Sequence, residues 1–111
     1  MLATSLDVSV RDGVTLALHV TNTAASRIEL RFSSGQTYDF SVLDAAGREV
    51  WRWSADRMFT QALQIKSLDA AETLTVQERW DSEGRTGRFT AVATLRSSNY
   101  PVEQRVEFSL P

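Results

Sequence analysis

Apolar side chains fall at every second position along most of this chain, the pattern of extended strands with one face turned inward. Leu6, Val8 and Val10 alternate with Asp7, Ser9 and Arg11, and Asp12-Gly13 then marks a hairpin turn. Val14, Leu16, Leu18 and Val20 form the returning row, closed by the small polar loop Asn22 to Ser26. Ile28, Leu30 and Phe32 follow, with the charged Arg27, Glu29 and Arg31 facing out. Ser33-Ser34-Gly35 is a turn signal, and a positive φ is expected at Gly35. Beyond it Tyr38, Phe40 and Val42 share one face and Asp39 and Ser41 the other, so Asp39 is expected to meet solvent or backbone N–H groups. Asp44-Ala45-Ala46-Gly47 is the next turn, after which Trp51 and Trp53 share a face with Arg52 opposite.

The second half continues in the same style. Ala55 to Met58 reads as a connection with room for a single helical turn. Phe59, Gln61, Leu63 and Ile65 then fit a strand, preferred over a short helix across Asp56 to Lys66. Leu74, Val76 and Trp80 make another inward row, and Ser82 to Gly87 a polar loop with two glycines. Phe89, Ala91, Ala93 and Leu95 precede a turn at Ser97 to Pro101, and Val102, Val106, Phe108 and Leu110 close the chain. Short strands about every 8–12 residues, punctuated by turns, predict an all-β sandwich or barrel, with residues 1–111 as one domain. Trp51 and Trp53 are expected in its core rather than on a binding platform, because polar residues already occupy the opposite face. Trp80, at a strand end, is the indole expected to be partly exposed.

Three blocks of the chain carry a family resemblance. The run from Phe32 through Ser34, Gly35, Gln36, Tyr38, Asp39, Phe40 and Val42 to Asp44 is the first. Gly47 to Ser54, containing Trp51-Arg52-Trp53-Ser54, is the second, and Phe59 to Leu63 the third. Together with Glu78-Arg79-Trp80-Asp81 and Gly87 to Ala91 they resemble the bacterial intracellular proteinase inhibitor (BsuPI) family. One departure stands out: Asp69-Ala70-Ala71-Glu72 replaces the Pro-Gly turn often found before the Trp80-Asp81 block. The resemblance implies an immunoglobulin-like antiparallel β-sandwich and a serine-protease inhibitor, with the motif residues in structural roles. The alternative is an immunoglobulin-like interaction module with no inhibitory activity.

Composition narrows the choice. The 111 residues include no cysteine, so disulfides and thiol chemistry are excluded. The 12 basic and 14 acidic residues are interspersed, net −2, unlike the clustered basic face of a nucleic-acid binder. No apolar run approaches the ~20 residues of a membrane span. The start has neither a basic segment nor a long apolar one, which favours a cytoplasmic location, an excised domain of an exported protein being the other option.

Candidate chemistry is sparse. His19 is the only histidine and sits on a polar strand face. Asp39, Asp44 and Asp81 form no ligand or acid–base pattern, and Asp44 and Asp81 suit turn duty. No metal, no cofactor and no catalytic residue is expected; the partner is expected to be a protein, in particular a serine protease. Of three loops able to touch one, Ser54 to Met58 presents large side chains, whereas Pro101 burdens Ser97 to Pro101 and glycines loosen Ser82 to Gly87. Arg57 and Met58 are therefore the expected contact.

Overall fold

The computed structural model describes residues Met1 to Pro111 and contains nine strands, no α-helix and one 3-10 turn. The strands are β1 (Leu2–Val10), β2 (Val14–Asn22), β3 (Ile28–Phe32), β4 (Tyr38–Leu43), β5 (Glu49–Arg52), β6 (Gln64–Leu68), β7 (Thr73–Trp80), β8 (Gly87–Leu95) and β9 (Val102–Leu110). The 3-10 turn, Trp53–Asp56, follows β5 directly. All pairings are antiparallel. They build a three-stranded sheet β1-β2-β7, a four-stranded sheet β5-β4-β8-β9 and a two-stranded ribbon β3-β6.

The inward rows of all three pack into one core cluster: Leu6 from β1, Val14 to Val20 from β2, Leu30 and Phe32 from β3, Phe40 and Val42 from β4, and Phe89 to Leu95 from β8. This is a β-sandwich closed along one side, where β1 lies against β9 and the Gln104 amide donates to Thr4 Oγ1 at 2.7 Å. At Asp12-Gly13 both residues have positive φ (54° and 113°), as the hairpin between β1 and β2 requires. Asp44 accepts from the backbone N–H groups of Arg48 and Ala46, which holds its carboxyl below the usual carboxylate range. Asp81 likewise accepts from Glu83 N–H.

Asn22 is fully buried at the end of β2 and ties three segments together. Its amide donates to the carbonyls of Ser26, Leu68 and Asp69, and its Oδ1 accepts from Ala24 N–H. Thus the end of β6 and the turn into β7 are fixed by one side chain, through bonds that a buried amide must make.

Several expectations are corrected. No strand or helix covers residues 59–63, whose one backbone hydrogen bond is accepted by the Thr60 carbonyl from Gly35 N–H, and β6 starts only at Gln64. Leu63 and Ile65 point outward, 80% and 58% exposed, because the row facing the core on this ribbon runs through Leu68. The indoles exchange roles as well. Trp80 is 4% exposed and joins the core cluster, whereas Trp51 and Trp53 lie half-buried along its margin. Strand alternation ends at Arg52, so Trp53 belongs to the 3-10 turn and not to the strand row. Val10, at the tip of the first hairpin, is also exposed.

The turn that replaces Pro-Gly shows what the replacement costs. Glu72 N–H donates to the Asp69 carbonyl at 3.0 Å, and Ala71 takes φ 68°, the left-handed region that favours glycine. Ala71→Gly is expected to raise unfolding free energy by about 0.5–1 kcal/mol, the relief of the Cβ clash exceeding the added chain entropy. Urea denaturation of the two proteins measures it.

Candidate functional site

The three blocks that carry the family resemblance converge on one place, at the base of the segment Arg57 to Leu63. Asp39 is the centre. It is the second residue of β4 and lies 3% exposed on the strand face turned away from the core. A carboxylate at such depth is costly unless charge and hydrogen bonds compensate it. Four donors do so. Arg52 Nη1 donates to Oδ2 at 2.8 Å, Ser54 Oγ to Oδ2 at 2.6 Å, Ser54 N–H to Oδ1 at 3.2 Å and Phe40 N–H to Oδ1 at 2.9 Å. Arg52 also holds Glu49, and the two carboxylates, Glu49 first, keep its pKa above the usual value. Asp39 therefore fastens β4 to β5 and to the start of the 3-10 turn.

That turn aims Trp53 back across Tyr38. The rings stack at 4.7 Å between centroids with 18° between planes. Phe59 packs on the indole at 5.7 Å, and the Arg57 guanidinium lies over it at 4.5 Å, within cation–π range. Arg57 also donates to the Trp53 carbonyl, and its N–H to that of Ser54. Beneath the stack, the Tyr38 hydroxyl donates to Glu78 Oε2 at 2.5 Å. Glu78 is on the same side of β7 as Val76 and Trp80, a carboxylate in an otherwise apolar row. Burial first, then the Glu78 carboxylate, push the Tyr38 phenol from 10.0 up to about 12. Trp51 stacks on Trp80 at 6.3 Å, and a recess of about 530 Å³ opens beside Trp51, Trp53, Arg57 and Glu78.

The far end of the segment is tied as well. Gly35 N–H donates to the Thr60 carbonyl at 2.8 Å. Gly35 does not have positive φ, contrary to expectation. Glycine is required there by proximity: a Cβ would stand 2.5 Å from Thr60 Oγ1 and 3.1 Å from Thr60 N. Ser34 Oγ accepts from Gln36 N–H, shaping the approach to this contact. Two donors, Gln36 Nε2 and Trp53 Nε1, are enclosed without an acceptor. Between the two ties Met58 stands 99% exposed.

The other expected loops are otherwise engaged. Ser97 to Pro101 closes the outer edge of β3: Ser98 N–H donates to the Arg31 carbonyl, Asn99 Oδ1 accepts from Arg31 N–H, and Asn99 Nδ2 donates to the Glu29 carbonyl. Ser82 to Gly87 is a local turn with left-handed residues at Glu83, Gly84 and Gly87. His19 bridges Asp7 and Thr75 at 2.9 Å each, on an exposed sheet face. Sequence reasoning identified most members of the site, but Glu78 and Thr60, although inside the resembling blocks, were given no role in it. The first sits where the pattern calls for an apolar residue, and nothing local marks the second.

The fold and this assembly define an all-β sandwich with a braced, exposed connection between β5 and β6. The chain belongs to the family of intracellular proteinase inhibitors (BsuPI), whose model matches residues 2–100. No curated protein matches it significantly. No helix is long and apolar enough to cross a membrane.

Two outcomes are expected here. Gly35→Ala must push Thr60 away and break the tie at the loop, costing about 1–3 kcal/mol and speeding proteolytic nicking between residues 57 and 63. Thermal unfolding and limited proteolysis read the two effects separately. For Tyr38, the unfolded phenol loses its proton near pH 10 and the folded one only near 12, so over that window the folded chain holds more protons and stability falls as pH rises. A tyrosinate absorbance step near pH 12 should therefore disappear in Tyr38→Phe, together with that part of the alkaline loss of stability.

Proposed function

We propose that this protein inhibits serine proteases of the subtilisin type by presenting the segment Arg57 to Leu63 to the active-site cleft, with an immunoglobulin-like sandwich as its rigid frame. The observation that carries this reading is Met58, 99% exposed on a segment that leaves the 3-10 turn in extended geometry at Arg57 (φ −121°, ψ 148°) and is tied down on both sides. An extended segment that is already ordered loses little conformational entropy on binding, which converts contact energy into affinity. Family membership supports a protease as the partner. The subtilisin class is supported by the shape of the offered side chain, since its specificity pockets take large apolar groups. Arg57 plays a supporting part: its guanidinium is spent on Trp53, which sets the direction in which Met58 leaves the frame.

A panel of subtilisin, trypsin, papain and thermolysin tests the reading. Subtilisin should be inhibited, and Met58→Asp should raise its inhibition constant about thirtyfold, the scale of a central contact residue. The unfolding temperature should not change, because the side chain touches nothing in the free protein. Inhibition that survives Met58→Asp in a folded protein removes the segment from the interface, and inhibition of papain or thermolysin alone removes the serine class.

A further inference from the structure

We infer that the free edge of β6 is part of the same interface and receives an extended segment of the target protease as an added strand. This rests on the inhibitor reading and extends it from one loop to a loop and strand. β3 and β6 form a ribbon of only two strands, so each has one edge to spare. The spare edge of β3 is filled by Ser98 and Asn99. The spare edge of β6 is not: from Leu63 to Ser67 no backbone group bonds to anything but β3, and no side chain reaches them. Unpaired strand edges invite pairing, and proteins normally blunt them.

The side chains on this edge point the same way. The exposed large apolar residues of the whole chain are Met1, Val10, Met58, Leu63 and Ile65, so three of the five lie within one eight-residue stretch. β7 also has an edge position in its sheet, but its outward row is Thr73, Thr75, Gln77 and Arg79. On β6 an open edge carries the outward Ile65, with Leu63 just before it, and it continues directly from the presented segment. Strand addition uses this combination, main-chain bonds for affinity and alternate side chains for selectivity.

Lys66 indicates what the partner is. It lies on the ribbon opposite Leu30, exposed, with no carboxylate within ion-pair distance. Antiparallel pairing of two copies about the centre of β6 sets Lys66 against Lys66, a like-charge pair that opposes association. An incoming strand that places an acidic residue there gains an ion pair instead. The occupant is therefore an extended protease segment with a carboxylate facing Lys66, and not a second copy of this chain.

Hydrogen–deuterium exchange of the full chain, free and saturated with subtilisin, tests the inference directly. The amides from Leu63 to Ser67 that face away from β3 should slow in the complex. Ile65→Thr combined with Lys66→Glu should raise the inhibition constant about tenfold at unchanged unfolding temperature. If residues around Met58 are protected while those of β6 exchange at their free rates, the inference falls and the loop-only inhibitor stands. An unchanged inhibition constant in the double variant also overturns it. Slowing of the same amides with rising concentration of the protein alone assigns the edge to a second copy. Absence of any complex with subtilisin overturns both readings.

Discussion

The buried carboxylate of Asp39 is the constraint on which the rest of this site depends. A sandwich strand ordinarily sends apolar groups to one side and leaves the other to water. β4 is covered on most of both sides, and its outward side carries a carboxylate only 3% exposed. Such a group is tolerable only while its donors stay in place, so the position of Asp39 dictates the positions of Arg52 and Ser54. Those two residues flank Trp53. Satisfying one acid thereby fixes the end of β5, the start of the 3-10 turn and the direction of the chain beyond it. The same logic explains why the turn has no side-chain cap of its own: its geometry is imposed by a neighbour.

Above this knot the aromatic stack converts position into rigidity. Tyr38 is held by Glu78 from the opposite sheet, Trp53 lies on Tyr38, and Arg57 and Phe59 lie on Trp53. Each contact alone is modest, with cation–π and ring stacking worth about 0.5–1.5 kcal/mol apiece. Connected in series they join the two sheets to the exposed segment. A free loop with Met58, Leu63 and Ile65 in water has no reason of its own to keep one course. Here its course is set by residues before and after it, and its large apolar side chains are left mostly in solvent. Apolar surface gathered in this way suits contact with another protein.

This also decides what the sequence could disclose. β1, β2, β4 and β8 were legible because their inward rows are apolar at every second position and the turns between them carry Asp-Gly or Asp and Gly signals. Asp44 and Asp81 were legible as turn residues for the same local reason. The segment 59–65 was not, since aliphatic side chains left exposed to solvent have the same composition and spacing as side chains offered to a core. Trp80 and Trp53 were exchanged because alternation gives a residue's side of the strand but not the point at which the strand stops. Gly35 was recognised as necessary for the wrong cause: a turn conformation and the close approach of Thr60 both demand glycine, and only coordinates separate them. The role of Glu78 was hidden because its justification, the Tyr38 hydroxyl, comes from a strand 40 residues away.

The β3–β6 ribbon poses the opposing requirement. A surface meant to be joined by a partner strand must avoid being joined by everything else, including its own copies. Three features limit that risk without closing the edge. The strand is short, five residues, so an accidental pairing gains few bonds. Asn99 and Ser98 shut the opposite edge, which stops the ribbon from propagating as a sheet. Lys66 places a positive charge at the middle of what remains, unfavourable toward a like strand and favourable toward an acidic one. Selectivity at such an edge is a difference between two free energies, and the lysine acts on both sides of that difference. The buried Asp39 and the exposed Lys66 thus perform complementary tasks: one charge is enclosed to fix the segment in space, the other is left open to choose what may join it.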